Sequence, residues 1–225
     1  DIRSNPGISV KLSALHPRYE VAKRARVMEE LVPRVRALAG LAKAAGLGFN
    51  IDAEEADRLA LSLEVIEAVL SDPALKGWDG FGVVVQAFSK RAPWVLDWLY
   101  ALAKGLDRQI MVRLVKGAYW DAEIKRAQVM GLTGFPVFTR KANTDLSYLA
   151  CAKQLLAMND RIYAQFATHN AHSVAAILQL AANDADGQSS SYAYEFQRLH
   201  GMGESLHASV MAQGNVRCRI YAPVG

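Results

Sequence analysis

Cysteine is nearly missing from this chain: among 225 residues only Cys151 and Cys218 occur. They lie far apart at no metal-ligand spacing, which excludes a disulfide framework and a thiolate metal site. Both read as reduced thiols, and a reducing, cytoplasmic setting is expected. No apolar run approaches the roughly 18 residues of a membrane span, and no signal-peptide pattern stands at the start. One sign of charge does not dominate either. Lys and Arg number 26 against 22 Asp and Glu, a formal +4, and the cations are scattered, which describes a mixed solvated surface and no nucleic-acid-binding stripe.

Several catalytic signatures are absent as well. No Gly-x-Gly-x-x-Gly follows the first expected strand, which argues against a Rossmann fold. His169 and His172 stand three apart, but His172 falls in an expected helix, where a packed or solvated histidine accounts for it without a metal. No elbow serine is found. Glu54 and Glu55 do not make a glycosidase pair, since a helix start accounts for both.

What is present is alternation. Ile8–Leu12, Phe49–Ile51, Phe81–Phe88, Ile110–Val115, Pro136–Phe138 (weak), Arg161–Ala167, Tyr192–Phe196 and Val216–Tyr221 read as strands. Between them lie helical patterns over Tyr19–Ala45, Glu54–Leu70, Ala92–Ala103, the stretch after Val115 to about Met130, Asn143–Met158, Ala171–Ala182 and Gly203–Gln213. The strands look apolar on both faces, as in a parallel sheet covered by helices. About eight strands in strict alternation predict one domain of α/β class, a (β/α)8 TIM-like barrel. Asp184–Ser191 is a polar, loop-like insertion without an assigned function. No eighth helix follows the last strand, and the chain begins at Asp1 in place of Met; a truncated or excised piece of a larger protein is expected.

In such a barrel the working residues gather at the C-terminal ends of the strands. Here those ends carry Lys11, Asp52, Gln86, Arg113 with Lys116, Thr139-Arg140-Lys141, Thr168-His169-Asn170, Glu195 with Gln197, and Tyr221. Cations, amide donors and aromatics in one mouth suit a large anionic ligand with a flat ring, such as a phosphorylated cofactor. Arg113, among apolar neighbours, needs an electron-rich partner, from a ligand or from a carboxylate such as Asp52. Gly117 is open to two readings, close approach of backbone to a ligand or a plain turn.

Three stretches resemble proline dehydrogenase, in particular the flavin-dependent domain of bacterial bifunctional proline-utilisation proteins: Lys11-Leu12-Ser13-Ala14-Leu15-His16-Pro17-Arg18-Tyr19, Asn50-Ile51-Asp52-Ala53-Glu54-Glu55 and Arg113-Leu114-Val115-Lys116-Gly117-Ala118-Tyr119-Trp120. The likeness continues, in order, through Thr139-Arg140-Lys141, Gln165 to His172, Tyr194 to Gly203 and Arg219 to Gly225. It implies oxidation of L-proline to 1-pyrroline-5-carboxylate, with hydride passing from C5 to N5 of FAD and electrons going on to a quinone. It also implies roles. Lys11 would meet the substrate carboxylate, Asp52 would organise the substrate mouth, Tyr221 would pack on the proline ring, and Ala118, Tyr119 and Leu199 would complete that pocket. Arg113 would lie near flavin N5 as a catalytic group, with Lys11, Asp52 and Tyr221. Gln86 would bond the flavin ring, and Ala53, Val115, Lys116, Gly117, Ala118 and Trp120 would approach the cofactor. Thr139, Arg140, Lys141, His169, Asn170 and Gln197 would hold its remaining parts.

The family's last barrel helix, with a paired arginine for the substrate carboxylate and a glutamate for the flavin, has no counterpart in the sequence. Its aldehyde dehydrogenase, DNA-binding and peripheral membrane-contacting regions are expected only in a parent protein. Two other readings stay open: a non-catalytic, flavin-binding fragment, and a phosphate-handling aldolase or isomerase barrel with Lys11 as its amine.

Overall fold

The computed structural model describes residues 1–182, 193–213 and 216–223. Seven strands run parallel in chain order: β1 Gly7–Val10, β2 Gly48–Ile51, β3 Phe81–Gln86, β4 Ile110–Val115, β5 Ile162–Ala167, β6 Tyr194–Leu199 and β7 Arg217–Tyr221. The helices between them are α1 Leu12–Leu15, α2 Arg24–Ala44, α3 Leu59–Leu70, α4 Ala92–Gly105, α5 Trp120–Val129, α6 Lys141–Ala157, α7 Ala171–Ala182 and α8 Glu204–Gln213. These are the strands and helices of a (β/α)8 barrel, seven strands of it among the described residues. β1 and β7 do not pair; the N-terminal stretch is tied to β7 by Arg219, whose Nη1 donates to Asn5 O and whose Nη2 donates to Arg3 O, each at 2.6 Å.

Strand side chains alternate between two faces, and here the faces differ in kind. Phe49, Ile51, Phe81, Val83, Val85, Ile110, Val112, Leu114, Ile162, Phe166 and Phe196 belong to one buried apolar cluster with the helix residues Val27, Leu31, Val65, Ile66, Leu96, Leu99, Tyr148 and Leu155. The intervening positions form the concave side. Register places Val84, Arg113, Gln165, Glu195 and Arg217 in one row across β3 to β7. The expectation of strands apolar on both faces is therefore corrected. One face is apolar, and the other holds a paired polar layer that β5, written Ile-Tyr-Ala-Gln-Phe-Ala, conceals behind one amide.

Other boundaries shift for local reasons. The first strand stops at Val10, because Leu12 already opens α1. The helix expected from Glu54 starts at Leu59. The expected strand Pro136–Phe138 is absent from the sheet. Pro136 has no N–H to donate, and Val137 makes only an isolated antiparallel bridge to Ser89, with Phe138 N donating to Phe88 O at 2.8 Å. The eighth strand of the sequence count is thus a clip over the end of β3. Asp184–Ser191 and the expected strand start at Tyr192 lie outside the described residues, as do Val224 and Gly225. Cys151 and Cys218 are both free thiols, and no described helix is long and apolar enough to cross a membrane.

Candidate functional site

The strands deliver their C-terminal polar residues to one cavity of about 620 Å³. Lys11, just past β1, and Asp52, just past β2, stand beside Arg113 of β4 and Tyr221 at the end of β7. Asp52 is the hub. Its Oδ2 accepts from Lys11 Nζ at 3.3 Å and from Tyr221 OH at 3.4 Å, and its Oδ1 accepts from Arg113 Nη1 at 3.3 Å. Arg113 is buried, as its place in the strand requires, and burial pulls its pKa below the ordinary arginine value; the charges of Tyr221 and Asp52 work against that shift. Tyr221 lies under the guanidinium, ring centroid 4.6 Å from Cζ, a cation–π contact. The electron-rich partner that Arg113 requires is supplied from within the chain, by a carboxylate and an aromatic face.

Lys11 is positioned through the short helix that follows it. Glu54 Oε1 accepts from Ser13 N at 3.0 Å, which caps the first turn of α1 directly after Lys11, while Glu54 Oε2 accepts from Arg58 Nη1 at 3.1 Å. Glu54 thus does not begin its own helix, as expected from sequence; it serves the N-terminal end of another. For Lys11, burial disfavours the ammonium, but Asp52 and Tyr119 outweigh burial and raise the pKa above the ordinary lysine value.

One flank of the cavity is the loop after β4. Gln86 is held at both ends of its amide: Nε2 donates to Glu54 O at 3.0 Å and Oε1 accepts from Ala118 N at 3.1 Å. Gly117 has φ 138°, and a Cβ there would stand 2.5 Å from ring carbons of Phe88. Both constraints demand glycine, so its first reason is the turn packed on Phe88; its backbone also lines the cavity. Lys116 and Lys141 converge on Asp145, at 2.5 and 2.6 Å, and their hydrogen bonds hold that carboxyl below its usual range.

The opposite flank comes from β5 and β6. Asn170 Oδ1 accepts from Ser173 N at 2.9 Å and so caps α7. His169 Nε2 accepts from Leu199 N at 2.9 Å. Burial, reinforced by His207 and Arg198, holds the His169 pKa below the ordinary histidine value.

Of the residues singled out from sequence, Lys11, Asp52, Ala53, Gln86, Arg113, Val115, Lys116, Gly117, Ala118, Tyr119, Lys141, His169, Asn170, Gln197, Leu199 and Tyr221 line this one cavity. Trp120, Thr139 and Arg140 do not. Trp120 opens α5 with its Nε1 donating to Phe138 O at 2.9 Å, and Thr139 and Arg140 are exposed at the entry to α6. Val84, Ala167, Thr168 and Arg198 also line it. Thr168 carries a strand-end signal in the sequence; Val84 and Ala167 are small apolar positions with none.

A family model described as proline dehydrogenase matches residues 1–225. The bifunctional protein PutA of Klebsiella aerogenes is 59% identical over 230 residues, covering 100% of this chain and 17% of that protein. A solved structure of a mutant proline utilization A from Bradyrhizobium japonicum superposes with a TM-score of 0.93 at 60% identity, covering 98% of this chain and 22% of that one. Proline utilization A from Bdellovibrio bacteriovorus, inactivated by N-propargylglycine, superposes at 0.90 with 34% identity, covering 96% and 22%. The chain spans less than a fifth of the length of the Klebsiella relative.

Proposed function

Because this chain belongs to the proline dehydrogenase family, we propose that its cavity is the site at which L-proline is oxidised to 1-pyrroline-5-carboxylate. FAD held in this cavity would supply the hydride acceptor, N5 for the hydride of proline C5, and the onward route of electrons to a quinone. The observation that carries it is the cluster of Arg113, Asp52, Lys11 and Tyr221 around one carboxylate at the cavity wall.

The residues present suit such a cofactor. A cavity of about 620 Å³ is within the range of small-molecule sites, roughly 300–1,000 Å³, and fits a flat ring system with a small substrate beside it. Its donors are graded in kind. Arg113 is a buried cation able to stabilise negative charge in a reduced ring, while the half-buried Lys116 and the exposed Lys141 carry ammonium groups of the sort that meet phosphates. Val115, Gly117, Ala118 and Ala53 offer backbone on that wall, and Gln86, Gln197, His169 and Asn170 offer polar edges. Trp120, Thr139 and Arg140 stand outside the lining and would serve only a ligand that extends past the rim.

On the substrate side, Lys11 supplies a cation for the proline carboxylate, and Asp52 holds that cation and Arg113 in fixed relation. Tyr221, its ring already against Arg113, presents an apolar wall with Tyr119, Ala118 and Leu199. A second reading, with Lys11 as a Schiff-base amine, is disfavoured by the same geometry. Such chemistry needs a neutral amine at working pH, whereas Asp52 and Tyr119 raise the Lys11 pKa. Borohydride trapping of a carbonyl compound on Lys11 would revive it.

The test is direct. The protein loaded with FAD should show flavin absorption that L-proline bleaches without oxygen. Arg113→Met should slow that bleaching by about 10²–10³, the usual cost of one preorganised electrostatic contact to a developing charge. Absence of bound flavin, or equal bleaching rates in wild type and variant, would overturn the assignment.

A further inference from the structure

Behind Arg113 lies a second buried carboxylate with no part in the scheme above. Glu195 of β6 is 1% exposed and is ringed by donors. Its Oε1 accepts from Gln197 Nε2 at 2.7 Å, Arg219 Nε at 2.8 Å and Gln165 Nε2 at 3.0 Å; its Oε2 accepts from Arg219 Nη2 at 3.0 Å and Tyr163 OH at 3.3 Å. In all five contacts Glu195 is the acceptor, the role a carboxylate's two oxygens serve. Arg219 supplies the matching charge.

Gln197, equally buried, joins this carboxylate to the cavity: its Oε1 accepts from Arg113 Nε at 2.6 Å. A glutamine amide has two ends of nearly equal shape and opposite hydrogen-bonding sense. Alone it would turn over readily. Here one end faces a group that only accepts and the other a group that only donates. A flip would set NH₂ against the Arg113 N–H and carbonyl oxygen against the Glu195 carboxylate, losing two charge-assisted hydrogen bonds together.

We propose that Glu195 is a positioning residue: by fixing the sense of the Gln197 amide it holds Arg113 through Nε. The guanidinium is then pinned by Gln197 at Nε and Asp52 at Nη1, with Tyr221 across its face. Nη2 has no hydrogen bond among the described residues and is the nitrogen left for a ligand. Glu195 neither lines the cavity itself nor hydrogen-bonds Arg113; its hydrogen-bonded path to the guanidinium runs through Gln197, beside a direct charge interaction. The catalytic consequence rests on the proline dehydrogenase reading; the geometric one does not.

The experiment separates the two. In protein without flavin, the Arg113 Nε–H resonance, assigned by its loss in Arg113→Lys, is followed for exchange with solvent. Removing Glu195 alone would strand the half-buried Arg219 charge, so Glu195→Met is combined with Arg219→Met and compared both with Arg219→Met by itself and with Glu195→Gln plus Arg219→Met, which leaves neither charge stranded. The comparison also controls for the role of Arg219 in anchoring the N-terminal stretch. Arg113 Nε–H exchange should be about tenfold faster in the pair than in the single variant, the size of one lost hydrogen bond. Glu195→Gln with Arg219→Met should restore protection, because an amide oxygen can take the place of Oε1. Equal exchange in the pair and the single variant would overturn the proposal. Should the pair not fold, the wild-type Gln197 amide decides: two separate, slowly exchanging protons support a held amide, and an averaged, fast-exchanging pair overturns it. With FAD bound, proline-driven reduction should slow about tenfold in the pair relative to Arg219→Met. A wild type that proline does not reduce would refute the enzymatic reading and leave the exchange result standing.

Discussion

Asp52 bridges two cations at the same distance, which allows the environment of each to be measured against the other. Both Lys11 Nζ and Arg113 Nη1 lie 3.3 Å from its carboxylate oxygens, yet the Lys11 side chain is 47% exposed and that of Arg113 8%, against 14% for Asp52. Distance being equal, the medium decides. An exposed pair is screened and is worth about 0–1 kcal/mol. A charge-assisted bond within the wall should reach roughly 1.5–3 kcal/mol. It should not reach the larger cost of breaking a fully buried pair, because the cavity admits water to any charge left alone. A double-mutant cycle measures each coupling: Asp52→Asn, Lys11→Met, Arg113→Met and the two pairs that include Asp52→Asn, unfolded in urea without flavin. The Asp52–Arg113 coupling should exceed the Asp52–Lys11 coupling by about 1–2 kcal/mol, which is about 2–8 °C in midpoint for a chain of this size. Equal couplings, or the larger one on Lys11, would refute the claim that Asp52 is chiefly the counter-ion of Arg113. The site would then be organised by its exposed edge.

How much of this was legible in the sequence differs residue by residue. The polar ends of β1 to β7 could be read off because a buried parallel strand is written in apolar letters, so Lys11, Asp52, Gln86, Arg113 and Tyr221 stand out where the run breaks. That they share a cavity follows from the barrel alone. Hydrogen-bond partners across the sheet are another matter. Gln197 lies 84 positions from Arg113 and Glu195 30 positions from Gln165, and no local pattern encodes such pairs. The concave polar layer was invisible for the same reason: Gln165 is a lone amide in an apolar strand until register sets it beside Glu195, and Arg219, paired by register with Gln197, reaches Glu195 diagonally. Glu54 was misread because an acidic residue before a helical run resembles a helix start, whereas its carboxylate is used by Ser13, 41 positions away. Pro136–Phe138 had the composition of a strand but lacks a donor at its first position. Gly117 was ambiguous between turn and ligand approach, and only its φ and the nearness of Phe88 identify the stronger demand.

Two further perturbations follow from the backbone and from one ring. Gly117→Ala must adopt a φ that L-residues avoid and must displace Phe88, so a loss of about 2 kcal/mol or more in urea unfolding is expected. Gly40→Ala, in the middle of α2 with nothing within 4 Å of the new methyl, should instead gain roughly 0.5–1 kcal/mol; matching signs would undo the steric account. His169 makes stability depend on pH in a defined sense. Its folded-state pKa lies below the unfolded value of about 6.5, so in the window below that value the unfolded chain binds the proton first. Stability is therefore fully present above about pH 6.5 and is lost as pH falls toward and through the lower folded pKa. The structure supplies the reason, since protonation at Nε2 removes the acceptor of Leu199 N–H and adds a cation beside Arg198. Urea unfolding across this window should show a steeper acid loss for wild type than for His169→Gln, whose amide oxygen can still accept from Leu199 N without titrating. The other four histidines remain in both proteins, so the difference reports His169 together with its coupling to His207. Parallel slopes would show that the bond to Leu199 does not hold the flank of the cavity.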